Sequence, residues 1–325
     1  MATRRYSRRS CSESLGDSQE WVLFAKCAIT VSVCSRLIEL REACQKMNCR
    51  EQLVGLRVAE FDLRRTLESG QVFHAMPEGN GWQILVDRTL LYAEQRGRAL
   101  YVCAGQEKLA RNYFALDHPL RLIYAKFPSD PFSRSALSTC RGLRILRQPN
   151  WECLATFIAS PMKQVRHIRQ ISLELRERYG EPVSGSQVNA FPTPARLAQT
   201  TESELRNCKL GFRAKNLLAS AVAIASAEFD LNALASESTA AARERLCSLP
   251  GVGRKVANCV LLFAYERLDV VPVDIWIARV LHAMHKRSAS LIELEEFSNR
   301  QFGRYAGYIQ QYLFHHARMS KTLPV

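Results

Sequence analysis

The sequence predicts an α+β protein, an N-terminal antiparallel β-sheet domain followed by a mainly α-helical domain, and three observations carry that reading. Between residues 61 and 103, short runs rich in β-formers are separated by glycine-marked turns. Beyond about residue 150 the apolar residues recur at helical spacing in one segment after another. Between two of those segments stands Leu249-Pro250-Gly251-Val252-Gly253, whose glycines supply the backbone freedom that a tight helix-to-helix turn needs.

Residues 1–50 open with Arg4, Arg5, Arg8 and Arg9 among serines, then an apolar stretch at 21–34 that is broken by Lys26 and too short to span a bilayer. No clean cleavage site follows it. This stretch reads as a poorly ordered leader, or as sequence ahead of a start at Met47, with a DNA-binding arm as the other reading. Residues 51–140 form the expected sheet domain. Its strands are predicted at 72–75, 82–86, 90–93 and 100–103, with turns at Gly79-Asn80-Gly81 and at Gly97. The segment 112–117 closes that domain. Residues 141–325 form the helical domain, with helices predicted at 151–159, 162–179, 193–198, 201–208, 213–228, 239–248, 254–266, 274–286, 291–301 and 303–319. The helical hairpin occupies about 239–266.

Composition narrows the class of partner. With 325 residues and 47% hydrophobic content the chain can bury real cores. Its 45 Lys+Arg against 31 Asp+Glu leave a net charge of +14, which favours a polyanion. Nucleic acid leads and a membrane surface trails. The 11 cysteines contain no CxxC pair, so a zinc site is not expected. Scattered thiols fit a reducing, intracellular setting.

The hairpin concentrates the chemistry. In the helix after it, Val256, Ala257, Val260, Leu261 and Ala264 make a buried stripe, while Lys255 and Cys259 lie one turn apart on another face. The glycines at its start leave backbone N–H groups open at the positive end of the helix dipole, where a phosphate can sit. Asp274 stands at the start of a later helix, in the capping position where a carboxylate accepts from open N–H groups.

The hairpin, Lys255 and the Val271-Pro272-Val273-Asp274 run resemble the helix-hairpin-helix DNA glycosylases, in their 8-oxoguanine DNA glycosylase/lyase branch, over roughly residues 61–314. The resemblance implies a bifunctional DNA N-glycosylase and abasic-site lyase acting in base-excision repair. Lys255 would attack the sugar to form an imine and Asp274 would stabilise the developing cation. Attack requires a neutral amine, which partial burial and cationic surroundings favour. Ser69-Gly70-Gln71 and the run Tyr305 to Phe314 also match the family. On that match Gly70, Cys259, Gln310 and Phe314 form the base pocket, with Gln310 and Phe314 four apart on one helix face. Gly251, Gly253, Arg213 and His167 would contact DNA, and the carbonyls of Cys247, Leu249 and Val252 could hold a non-catalytic cation. The partner would be damaged double-stranded DNA, bound by a monomer located with intracellular DNA, without a membrane and without a cofactor. Some relatives carry an iron–sulfur cluster on four cysteines after the catalytic aspartate, and since no cysteine follows Cys259 none is expected here.

Three departures stand out. The family's asparagine run after the first long helix is Ser160-Pro161-Met162-Lys163-Gln164 here, an arginine for the opposite base is His167, and a histidine after the catalytic aspartate is Trp276. Two other readings remain, a helix-hairpin-helix glycosylase for an alkylated purine and a non-catalytic DNA-binding module. A pure binder has no use for an amine and a carboxylate facing one spot, and pocket occupancy separates the two enzymes.

Overall fold

The computed structural model of the chain describes residues 52–285, 289–321 and 323; the leader expected over 1–50 lies outside them. Five strands form one sheet: β1 (Leu53–Arg57), β2 (Met76–Glu78), β3 (Gly81–Val86), β4 (Thr89–Arg96) and β5 (Ala99–Cys103). They run in the order β1-β5-β4-β3-β2, every pair antiparallel. Tight hairpins at Asp87-Arg88 and Gly97-Arg98 set the register, with Asp87 at φ 54° and Gly97 at φ 58°. One face buries Ile84, Leu91, Ala93, Leu100 and Val102. Against them pack α1 (Leu63–Glu68) through Leu63 and Leu67, and α2 (Glu107–Tyr113) through Ala110 and Tyr113. Asp62 starts α1 by accepting from Arg65 N at 2.8 Å.

The sheet hands over to helices earlier than residue 140. Leu120 and Ile123 of α3 (Leu120–Tyr124), and Cys140 after α4 (Pro131–Thr139), lie in the helical core. Two helices centre that core, α5 (Asn150–Ile158) and α11 (Arg254–Phe263), with the rings of Phe157 and Phe263 stacked at 5.5 Å. Around them stand α6 (Val165–Tyr179), α7 (Pro194–Ala198), α8 (Glu202–Leu205), α9 (Arg213–Ala225) and α10 (Thr239–Ser248). The chain ends in α12 (Ile275–His285), α13 (Leu291–Phe302) and α14 (Ala306–Ser320). α14 serves two clusters at once, Tyr308 and Tyr312 in the main core and Ile309 and Leu313 in a third one with α12. No helix among the described residues is long and apolar enough to cross a membrane.

Several expected elements differ, each for a local reason. The run 72–75 is not a strand but a buried connector, with Val72 in the sheet core and Phe73 in the helical one. Burial on all sides produces the same apolar texture as a strand. The helix expected from 162 begins at Val165, because Met162 takes φ 57° in a turn over 160–163. The helix expected over 201–208 stops at Leu205, and Lys209 at φ 64° turns the chain towards α9. The edge strand β1 and the helices α1 to α4 are too short for their periodicity to stand out.

Two devices join the sheet to the helices. The buried Gln71 side chain donates to the Arg144 carbonyl at 2.8 Å and accepts from Leu146 N at 2.8 Å, while its own carbonyl accepts from Gln148 Nε2 at 2.7 Å. Below it, Glu152 pairs with Arg176 and lies 2.7 Å from His74 Nδ1, all three buried. Burial pushes the Glu152 carboxyl up, but Arg176 and His74 outweigh it and hold the carboxyl at about 2. A depressed acid stabilises the fold fully above the ordinary value of 4.5 and loses that contribution as pH falls towards 2. Glu152→Gln should therefore cost about 3–5 kcal/mol at pH 7, by leaving the Arg176 charge buried without a counter-charge. Urea unfolding of the variant measures it, and a change under about 1 kcal/mol would contradict the ion-pair account.

Candidate active site

The helical hairpin is built by buried anchors and an open turn. Leu249 and Val252 are buried, and Val252 N donates to the Leu249 carbonyl at 3.1 Å, so this carbonyl of the expected cation set already accepts one hydrogen bond. Gly251 takes φ 77° and packs on α9, where an added Cβ would stand 2.3 Å from Asn216 Nδ2. Any side chain there would clash and strain the turn. Gly253 begins α11 with no side-chain cap, and nothing lies within 4 Å of where its Cβ would be. No side chain caps the first N–H groups of α11, which leaves them available to an anion. Glu295 of α13 is buried between Arg254, at 2.6 Å, and Arg243, at 3.4 Å, which fixes the hairpin to the last helices.

Lys255 follows in the first turn of α11, half-buried. Its Nζ donates to Ser160 Oγ at 3.2 Å and sits 5.3 Å from the Phe157 ring centroid. Ser160 Oγ donates in turn to the Phe157 carbonyl at 2.8 Å, leaving a lone pair for the amine. Cys259, one turn on, is buried, and burial pushes its thiol up to about 11 against the opposing effect of Lys255. At neutral pH that thiol is protonated, so it lines the site and leaves the nucleophile's part to the amine.

Asp274 is brought to the same place by α11 itself. Asn258, two turns from the hairpin's end, donates from Nδ2 to the Val271 carbonyl at 2.9 Å and so holds the strand that leads to Asp274. Asp274 caps α12, with Oδ1 accepting from Trp276 N at 3.0 Å and Ile277 N at 2.8 Å. No hydrogen bond to Oδ2 is made among the described residues. Burial raises the Asp274 pKa above its ordinary value, more than the cap hydrogen bonds and Lys255 lower it. The site thus pairs an amine with a carboxylate that has one free, poorly solvated oxygen, an arrangement suited to a developing cation.

The candidate base-pocket residues divide between two walls. Gly70, at φ 88°, faces α14; a Cβ there would stand 3.0 Å from Arg318 Nη1, 3.1 Å from Val165 Cγ2 and 3.4 Å from Phe314 Cε1. Gln311 Nε2 donates to the neighbouring Ser69 carbonyl at 3.2 Å, and no hydrogen bond ends on the Gly70 carbonyl among the described residues. Phe314 is half-exposed. Gln310, one turn earlier and 4% exposed, has an Oε1 without any partner. Such an orphaned amide oxygen signals a missing donor. Arg318 was not singled out from sequence, although its spacing from Phe314 puts it on the same helix face. Its guanidinium lies 5.5 Å over the Phe314 ring and donates to the Glu68 carbonyl at 2.5 Å. Ser160 and Phe157 were also missed, since nothing in a chain separation of 95 residues announces a contact with Lys255.

The expected DNA-contact residues fare differently. His167 stands half-buried at the start of α6, beside the 160–163 turn. Arg213 is buried and donates from Nη1 to the Leu210 carbonyl, at 3.2 Å, and from Nη2 to that of Pro161, while its Nε has no partner. It thereby ties the 160–163 turn to α9 instead of presenting a free guanidinium. That turn carries Met162, whose side chain is 92% exposed. Among the described residues no group of His, Cys, Asp and Glu could hold a metal ion.

Comparison with known proteins identifies the family. Residues 53–154 match the 8-oxoguanine DNA glycosylase N-terminal domain, and residues 157–300 match the HhH-GPD superfamily of base excision DNA repair proteins. The chain is 30% identical over 305 residues to a probable N-glycosylase/DNA lyase of Methanothermobacter thermautotrophicus, covering 82% of this chain and 96% of that one. It is also 30% identical to an N-glycosylase/DNA lyase of Saccharomyces cerevisiae, over 61% of this chain and 57% of that one. Among solved structures, Clostridium acetobutylicum 8-oxoguanine glycosylase/lyase, bound to double-stranded DNA with cytosine opposite 8-oxoguanine, superposes with a TM-score of 0.78. That similarity is at 28% identity and covers 83% of this chain and 97% of the other.

Proposed function

Because the chain belongs to the family of bifunctional N-glycosylase/DNA lyases of base-excision repair, we propose that it releases 8-oxoguanine from duplex DNA through an imine on Lys255. The observation that carries the chemistry is the Lys255 amine, held by Ser160 at the open end of α11 with the free oxygen of Asp274 in the same site. The damaged nucleotide leaves the duplex and its base enters between Gly70 and α14. Phe314 offers a stacking face, the unpartnered Gln310 amide reads the Watson–Crick edge, and the Gly70 carbonyl accepts the N7 hydrogen that guanine lacks. The C1′–N9 bond breaks with its electron pair leaving on the base, Asp274 stabilises the cationic sugar, and Lys255 Nζ bonds to C1′. Ring opening gives an imine. Loss of a C2′ proton then expels the 3′ phosphate, cutting the strand. Gly251, Gly253 and the open N–H groups of α11 hold the backbone, with a cation on the hairpin carbonyls a compatible bridge. On the match of residues 160–164 to the family's gap-filling asparagine run, the exposed Met162 would face the gap left by the flipped base, and its apolar surface and His167 would offer fewer hydrogen bonds to the opposite base than the family's asparagines and arginine.

Incubating the protein with a duplex carrying one 8-oxoguanine opposite cytosine, then reducing with borohydride, tests the reading. A covalent adduct that requires the lesion is expected. Release of alkylated purines with no action on 8-oxoguanine would leave the Lys255 chemistry standing and refute the pocket. Gly70→Ala should lower excision about ten- to a hundredfold, because a Cβ at φ 88° crowds Arg318, Val165 and Phe314 and displaces the carbonyl from a buried hydrogen bond worth roughly 1–3 kcal/mol. Affinity for a duplex with an abasic-site analogue should hardly change, since that ligand leaves the pocket empty; equal losses in both assays would point to general misfolding. The net charge of +14 also predicts a log–log salt slope of binding steeper than about −2.

A further inference from the structure

A second basic site lies away from Lys255, in a cavity of about 340 Å³ lined by Arg57, Arg111, Arg121, Arg144, His118 and Glu60, with an apolar floor that includes Val58 and Leu116. The four arginines come from four places: the end of β1, α2, the start of α3 and the connector before α5. Arg57, Arg111 and Arg121 are exposed, and their side chains make no hydrogen bond or ion pair among the described residues. The nearby carboxylates are already engaged. Glu60 is held by Arg141 at 2.9 Å, and Asp117 and Glu266 by Arg147. Arg144 is buried and fixed by the carbonyls of Glu60, at 3.1 Å, and of Ala115 and His118. His118 is occupied by Tyr308 and Glu266.

Three exposed guanidiniums without a side-chain partner thus line one cavity with a fourth, and the one carboxylate in its lining, Glu60, is already paired with Arg141. Planar, forked donors match a phosphate group, and the volume is at the small end of ligand sites. We propose that this cavity is a phosphate-binding site separate from the catalytic cleft, taking either a free polyphosphate or the backbone of a DNA segment beyond the lesion. It shares no lining residue with the Lys255 site and does not depend on which base is excised.

The test uses the full chain and its Arg57→Gln/Arg111→Gln/Arg121→Gln variant, all three substitutions being at exposed side chains. The catalytic cleft is first saturated with a short duplex carrying an abasic-site analogue. Calorimetric titration with inorganic tripolyphosphate should then show one further site on the wild type, weakened at least tenfold in the variant. If the phosphate instead comes from DNA, a duplex of about 40 base pairs should bind the wild type more tightly than one of about 15. The variant should then lose that excess and about two to three units of log–log salt slope. Single-turnover excision on the short duplex should stay at the wild-type rate. A variant indistinguishable from wild type with both probes overturns the proposal, as does one that loses short-duplex excision together with phosphate binding, because the loss would then lie in the fold.

Discussion

Lys255→Gln abolishes covalent trapping and strand cleavage, with base release falling by about 10³-fold or more, while affinity for an abasic-site duplex stays within about threefold of wild type. The reason is a division of labour within one turn of α11. On the proposed mechanism the amine forms the bond to the sugar, whereas the DNA backbone would be held by Gly251, Gly253 and N–H groups that the substitution does not touch. Glutamine keeps a polar end for Ser160, so the 160–163 turn should remain in place. Trapping gels and fluorescence anisotropy measure the two quantities. Undiminished trapping in the variant would remove Lys255 from the mechanism, and a parallel collapse of binding would make it a structural residue.

Asp274→Asn should lower excision by about 10²–10³-fold without destabilising the fold. Asparagine caps helices as well as aspartate does, so the bonds to Trp276 N and Ile277 N survive. The sign of the stability change follows from the raised pKa of the carboxyl. An acid whose pKa is higher folded than unfolded makes its ionised form a cost to the fold, present above the folded value and relieved as pH falls through it. Removing the charge at pH 7 should leave the melting temperature unchanged or higher. The same raised value predicts that the acidic limb of kcat/KM in the wild type lies above the ordinary carboxylate value of 3.8. A limb at or below that value, or a variant with lower stability and intact excision, would contradict the assignment.

The helical half of the fold was legible because long segments such as 165–179 and 306–320 carry the periodicity of burial for several turns. The hairpin was legible because its glycines, its lysine and the later aspartate are local words with local meaning. What stayed hidden was tertiary. Val72 and Phe73 read as a strand because burial between two cores selects the same residues as a sheet. The grip of Gln71 on residues 144–148 and the contact of Ser160 with Lys255 join positions 75 or more apart, and no pattern of spacing encodes them. That two carbonyls, of Leu210 and Pro161, surround the Arg213 guanidinium is likewise a tertiary fact that no spacing encodes.

The connector that carries Gly70 is clamped on both sides, by Gln71 to residues 144–148 and by Ser69 to Gln311. If that carbonyl reads N7 as proposed, it cannot swing aside when an undamaged guanine presents a lone pair where the lesion presents a proton. The whole mismatch remains as a penalty of roughly 1–3 kcal/mol, and guanine should return to the stack roughly 5- to 150-fold faster than 8-oxoguanine. A stiff acceptor is thus a timer for the search along DNA, shortening each visit to a normal base.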